Sequence, residues 1–212
     1  QIDDATDNVK PKSIWYGEKY DASSKGTNLL NHLIKNNPFD YPKSLYQVFD
    51  ALIFSMDKND SVLDYFAGSG TTAHATIALN REDNGNRKFI CVQWAEKTPE
   101  KSEAKKAGYE TIFDITKARI DKAGEQIAKG DIGFRTFEIV EDQKQKIYQK
   151  SLEEVNQDDL LSLMEKPDIS SNEEILYNLF IAETLPLSTK HQELIKDKLY
   201  LASNVAFILG DI

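Results

Sequence analysis

The sequence predicts an α/β protein, a parallel sheet with helices on its faces, followed by a small α+β carboxyl-terminal domain. Three observations carry that expectation. An apolar run, Ser61-Val62-Leu63, enters a glycine turn spanning Asp64 to Thr72 and leaves it as an alanine-rich helical stretch. Strand-like and helix-like segments then alternate as far as residue 140, the order that builds parallel sheets. From Glu141 to Gln157 the pattern gives way to weakly patterned charge, which divides the chain into domains 1–140 and 141–212.

Taken in order, residues 1–14 are polar and read as a tail, and Trp15 and Tyr16 are aromatics expected to pack on the body. Leu29, Leu30, Leu33 and Ile34 have helical spacing, ending near Asn36-Asn37-Pro38. Pro42 suits the first turn of the next helix. There Leu45, Val48, Phe49, Leu52, Ile53 and Met56 recur at three and four residues, a buried face. Residues 61–66 are the first strand and 71–80 the helix after the turn, where Ala73, Ala75 and Ala78 permit close approach to a sheet. Residues 88–93 are a second strand, 101–107 a short helix, 111–113 a third strand, 114–129 a helix and 132–140 a further strand. In the second domain, 158–165 and 173–184 read as amphipathic helices, and Lys198 to Gly210 as two strands joined at Ser203-Asn204.

The turn indicates what kind of ligand fits. Gly68 and Gly70 tolerate positive φ and remove side chains that would hold a ligand off the backbone. The amides of Thr71 and Thr72 open a helix and can receive an anionic group. Asp64 adds a carboxylate just before the turn, which repels a pyrophosphate and attracts an ammonium group. S-adenosylmethionine carries an ammonium, a sulfonium and one carboxylate, so it suits both halves. Gly68, Gly70 and Ala73 also fit the loose dinucleotide pattern G-x-G-x-x-G/A, which makes a hydride-transfer domain the rival. Asp64 argues against it, and so does the lack of a well-placed acid about twenty residues further on. No G-x-x-x-x-G-K-[ST] occurs, so a P-loop is excluded.

Four boxes in register make a resemblance specific. Phe39-Asp40-Tyr41-Pro42-Lys43-Ser44 precedes the turn. The turn itself reads Asp64-Tyr65-Phe66-Ala67-Gly68-Ser69-Gly70-Thr71-Thr72-Ala73-His74-Ala75. Residues 87–93 form a strand-like box ending at Gln93, and Gly133-Phe134 opens the fourth box, 133–139. From about Trp15 to Val140, and more weakly to the end, the chain resembles the carboxyl-terminal half of a β-class DNA adenine-N6 methyltransferase, in particular the Mod subunit of type III restriction-modification systems. The resemblance implies a Rossmann-like S-adenosylmethionine-dependent methyltransferase sheet, present here only in part. It also implies a cofactor site formed by Phe39, Lys43, Ser44, Asp64, Phe66, Ala67, Gly68, Ser69, Gly70, Thr71 and Thr72. Most methyltransferases place an acid on the ribose at the end of the second strand. Here that position is Gln93, whose amide can also bond a ribose, and Glu96 lies close enough to serve instead. Asp114 is read as a helix cap, with approach to the adenine amino group as the alternative.

Enzymes of this class hold the target adenine with an Asp/Asn-Pro-Pro-aromatic motif, and this chain has no Pro-Pro pair. In the family that motif precedes both the target-recognition region and the lysine box. The chain is therefore expected to begin after them, to lack transfer activity alone, and to contain no catalytic residue. Gln1 in place of methionine accords with a fragment. An interrupted sheet would leave a strand edge and an apolar face for a partner, self-association or a rearranged terminus to cover. The resemblance further implies DNA contacts made upstream, a restriction subunit as partner, and a tail serving subunit association in a homodimer. The alternatives are a non-catalytic cofactor-binding or assembly module, and a methyltransferase for another base or for RNA.

Composition narrows the field further. A net charge of −9 is the wrong sign for a surface that tracks phosphates, in keeping with DNA contacts lying elsewhere. No run of about 18 apolar residues exists and the start is unlike a signal peptide, so a cytoplasmic protein without a membrane span is expected. Cys91 stands alone, and His32, His74 and His191 lack metal-ligand spacing, so no metal is assigned.

Overall fold

The computed structural model describes residues 13–36, 38–128, 133–139, 150–151, 154–159 and 171–210. Chain proximity divides the molecule into two units, Gln1–Arg135 and Thr136–Ile212.

The first unit begins with a 3-10 turn (Glu18–Tyr20) and a π-helix (Ser23–Asn28) that runs into α1 (Leu29–Leu33). Trp15 stacks on Tyr20 and packs against Phe54, while Tyr16 stays exposed. Helix α2 (Leu45–Ser55) buries Leu45, Phe49 and Leu52 against Ala75 and Leu79 of α3 (Thr71–Asp83), the helix that follows the glycine turn. Pro42 does not enter the first turn of α2. It lies two residues before the cap Ser44, fully buried. The π-helix explains why: a side chain at Gly26 would stand 2.3 Å from the Pro42 carbonyl, so Gly26 is the bed on which this segment rests.

Strands β1 (Ser61–Asp64) and β2 (Lys88–Cys91) pair in parallel, with Val62 opposite Phe89 and Leu63 opposite Ile90. Among the described residues the parallel sheet has these two strands. One face packs inward through Val62, Phe89 and Cys91. Burial, followed by the charge of Asp64, pushes the Cys91 thiol up to about 11, so it behaves as a small apolar residue. The other face exposes Leu63, Ile90 and Val92, and none of the described residues, the amino-terminal segment from residue 13 included, supplies the cover expected for it.

Two expected strands are corrected. Thr111 caps α5 (Ile112–Ile127) instead of starting a strand at 111–113, and its only pairing is an isolated bridge to Lys97. Asp114 closes the reciprocal capping box, so the cap reading holds. Residues 133–139, the described part of the strand expected at 132–140, form no strand. Phe134 instead packs on Phe89 beneath Lys117. The helix expected at 101–107 is the single turn α4 (Glu103–Lys106).

The second unit has a core of its own. Helix α6 (Asn172–Ala182), with a Ser171–Glu174 capping box, sets Leu176, Tyr177 and Phe180 against an antiparallel sheet. That sheet is β3 (His191–Ile195), β4 (Leu199–Ala202) and β5 (Val205–Ile208). The β4–β5 hairpin turns at Ser203-Asn204 as expected, with Ser203 at φ 56°. Strand β3 was not anticipated: its polar His191-Gln192-Glu193 start gives no apolar alternation, although His191 packs half-buried against Tyr177, Phe180 and Tyr200. Of the helix expected at 158–165, residues 160–165 lie outside the described residues. Among the described residues no helix is long and apolar enough to cross a membrane.

Candidate cofactor site

The glycine turn lies at the carboxyl ends of both parallel strands and is tied to each. The Val92 amide donates to the Asp64 carbonyl at 2.7 Å and the Ala67 amide to the Val92 carbonyl at 3.1 Å. The Gln93 Oε1 accepts from the Gly68 amide at 2.7 Å. Asp64, half-buried, holds the turn from inside: Oδ1 accepts from the Phe66 amide at 3.0 Å and Oδ2 from the Thr72 hydroxyl at 2.6 Å. Each carboxylate oxygen still has a lone pair for an external donor.

The two glycines differ. Both are left-handed, Gly68 at φ 53° and Gly70 at φ 76°. At Gly68 an added Cβ would meet the edge of the Phe39 ring at 3.4 Å and the Phe66 carbonyl at 3.8 Å, both ordinary contacts. At Gly70 it would lie 3.2 Å from the Thr116 carbonyl and 3.3 Å from the Thr116 methyl on α5. Gly68 therefore faces open space beside Phe39, whereas Gly70 is bare so that two helices can approach. This corrects the reading that both glycines clear room for a ligand.

Gly70 also caps α3 with no side-chain hydrogen bond, and no described residue accepts from the Thr71 or Thr72 amide. Helices α4, α5 and α6 all have Ser or Thr caps. The start of α3 thus has unused donors where its dipole is positive.

The remaining expected residues fall into two groups. Phe66 is 91 % exposed on the turn, and Lys43 and Glu96 are exposed with ionic heads free to meet a ligand. Phe39 is half-buried between Gly68 and the cluster of Leu30, Ile34 and Ile115. Ala67, Ser69 and Ser44 are buried. Ser44 gives its hydroxyl to the Lys19 carbonyl at 3.1 Å, a bond that holds the lysine box to the amino-terminal segment. Gln93 uses its oxygen on Gly68 and one amide proton on the Trp94 carbonyl, leaving a second proton. A cavity of about 460 Å³ lies elsewhere, between Ile34 and Tyr109, Ala118 and Lys122. It is an open dent edged by Lys35, Asp121, Lys122 and Glu125, none of which was read as a site residue, and the turn's claim rests on its unused donors and acceptors instead.

One central residue was not anticipated. Arg119 of α5 is wholly buried behind the turn. It donates from Nη1 to the Ser69 and Thr71 hydroxyls, both at 2.8 Å, and from Nε to His74 Nδ1 at 3.3 Å. Burial, then the Arg119 charge, lowers His74 to about 3, so it is neutral and accepts. The signal was in the sequence: Arg119 stands four residues after Ile115 and four before Ala123, on the buried stripe of the helix.

A parallel strand, a glycine turn and a helix whose first amides are unused among the described residues make up an α/β arrangement with mixed helix and strand. Residues 3–103 match the family model described as DNA methylase. Among curated proteins, the chain is 39 % identical over 145 residues to the Mod subunit of the type III restriction-modification enzyme EcoPI of Escherichia phage P1, covering 65 % of this chain and 22 % of that protein. It is 42 % identical over 118 residues to the EcoP15I Mod subunit of Escherichia coli, with 55 % and 18 % covered. The type II methyltransferase M.KpnI of Klebsiella pneumoniae is 32 % identical over 133 residues, with 62 % and 31 % covered. The chain spans about a fifth of the length of the type III relatives it matches. The resemblance drawn from the four boxes is borne out.

Proposed function

We propose that the chain is the S-adenosylmethionine-binding part of a site-specific DNA adenine-N6 methyltransferase of a restriction-modification system. The observation that carries this reading is the turn itself. Asp64 is held with acceptor capacity left over, and the Thr71 and Thr72 amides are free a few residues away. A ligand with both an ammonium and a carboxylate satisfies the two at once, whereas a pyrophosphate would meet Asp64. The kinship with Mod subunits and M.KpnI supports methyl transfer as the parent activity.

In this reading Asp64 binds the ammonium, the Thr71 and Thr72 amides the carboxylate, and Lys43 closes over the same end. Phe66 and Phe39 flank the adenosine, while the spare Gln93 amide proton or the Glu96 carboxylate takes the ribose. When bound, the cofactor supplies an electrophilic methyl group on a sulfonium. The residues here bind and orient it, because in-line displacement needs alignment more than proton transfer. The groups that hold the target base lie in the parent protein outside this chain, as do the DNA contacts, consistent with a charge of −9. The open face of Leu63, Ile90 and Val92 is the seat for the rest of that domain. The second unit serves subunit association in a homodimer, with a restriction subunit as a further partner, in the cytoplasm where the DNA is.

Titration calorimetry with the 212-residue chain tests the reading. S-adenosylmethionine should bind without methyl transfer to DNA, and transfer to adenine should return when the upstream half of a Mod protein is added. Binding of NADH in its place would move the chain to the dehydrogenases, and restored transfer to cytosine or RNA would change the substrate.

A further inference from the structure

Arg119 is 0 % exposed, and among the described residues no carboxylate pairs with it. Its Nη2 is buried with no acceptor. Its neighbours are all neutral: Ser69, Thr71 and a His74 that stays unprotonated. Asp64, the acid of the turn, is engaged with Phe66 and Thr72. Burying a guanidinium without an acid costs several kcal/mol, and a neutral or apolar residue would brace α5 against the turn at less cost. A charge kept under those conditions has a use for its field.

Proton accounting points the same way. Ser69 and Thr71 both accept from Nη1, and their hydroxyls lie 3.3 Å apart. Two hydroxyl protons remain, and only one can close the contact between them. The other is left for an acceptor beyond the triangle, at the end of α3 where the Thr71 and Thr72 amides are also unused. The cation, the spare hydroxyl proton and the helix terminus add with the same sign.

We propose that Arg119 is the positioning residue of the glycine turn, presetting it for the carboxylate of a zwitterionic ligand that it never touches. Nη1 fixes the Ser69 and Thr71 oxygens, and the unneutralised charge is compensated when a carboxylate settles on the start of α3. This rests on the turn being the S-adenosylmethionine seat, and it adds a specific origin for recognition of one ligand group.

The test compares S-adenosylmethionine with its decarboxylated form by calorimetry on the whole chain, as wild type, Arg119→Met and Arg119→Lys, with circular dichroism to verify folding. Wild type should prefer the carboxylate-bearing ligand. Arg119→Met should lose on the order of tenfold in affinity for it, the worth of one charge at an interior effective dielectric, and little for the decarboxylated form. Arg119→Lys keeps the charge without the fork, so it should bind both more weakly yet retain the preference. Should Arg119→Met not fold, Arg119→Lys carries the test, and disappearance of its preference would overturn the proposal. Equal losses for the two ligands in Arg119→Met would reduce Arg119 to a brace, with the cofactor reading intact. A folded wild type that binds neither ligand would remove the cofactor reading itself, and the proposal with it.

Discussion

The two halves of one turn are built on opposite principles. The Gly68 half is held by strand ends and a carboxylate, is open toward Phe39, and leaves donors and acceptors unused. The Gly70 half is packed from behind: Thr116 sits against the glycine and Arg119 bonds Ser69, Thr71 and His74, while the Thr71 and Thr72 amides stay unused at its front. Two glycines a residue apart thus have different physical reasons, one for access and one for packing. A glycine-rich motif is therefore no simple tally of ligand contacts.

Predictions that break or sharpen this contrast run from the packed half to the open one. The largest concerns acid. His74 is lowered from 6.5 to about 3, so the unfolded chain takes up a proton that the folded one refuses. That term is fully favourable above pH 6.5 and is lost at up to about 1.4 kcal/mol per unit as pH falls toward 3. Urea titrations across that range should show a flatter acid limb in His74→Asn, which keeps an acceptor for Arg119. Parallel limbs would mean that His74 is not what senses acid.

Next, Gly70→Ala combines left-handed strain with a 3.2 Å approach to the Thr116 carbonyl, and should cost about 2–3 kcal/mol in denaturant unfolding. Gly68→Ala has room and bears only the backbone term, about 1 kcal/mol, yet should weaken S-adenosylmethionine binding more than its stability loss implies. Equal stability costs at the two glycines would erase the distinction between the halves.

The smallest effects sort the ribose residues. Gln93→Ala removes the tie to the Gly68 amide and should cost about 0.5–1.5 kcal/mol of stability together with affinity. Glu96 is exposed, so Glu96→Ala should leave stability unchanged. Loss of affinity in one variant alone names the ribose ligand by calorimetry.

Much of this was legible beforehand because it depends on local spacing. The β1–turn–α3 unit, the face of α2, the capping role of Asp114 and the final hairpin all follow from apolar period or cap chemistry within a few residues. Misreadings came where distant partners decide. Thr111 and Phe134 have strand-compatible types, but a cap and a core site claimed them. Strand β3 pairs through its backbone, which no side-chain alternation announced.

The sequence alone therefore determined the β1–turn–α3 unit, the face of α2, the final hairpin and the likeness to Mod subunits, since φ preferences and hydrophobic period act along the chain. Tertiary structure decided that Gly26 makes room for the Pro42 carbonyl, that Gly70 serves Thr116, and that Arg119 is sealed beneath the turn. Steric contact and desolvation depend on which atoms meet across tens of residues, and only the folded chain specifies those meetings.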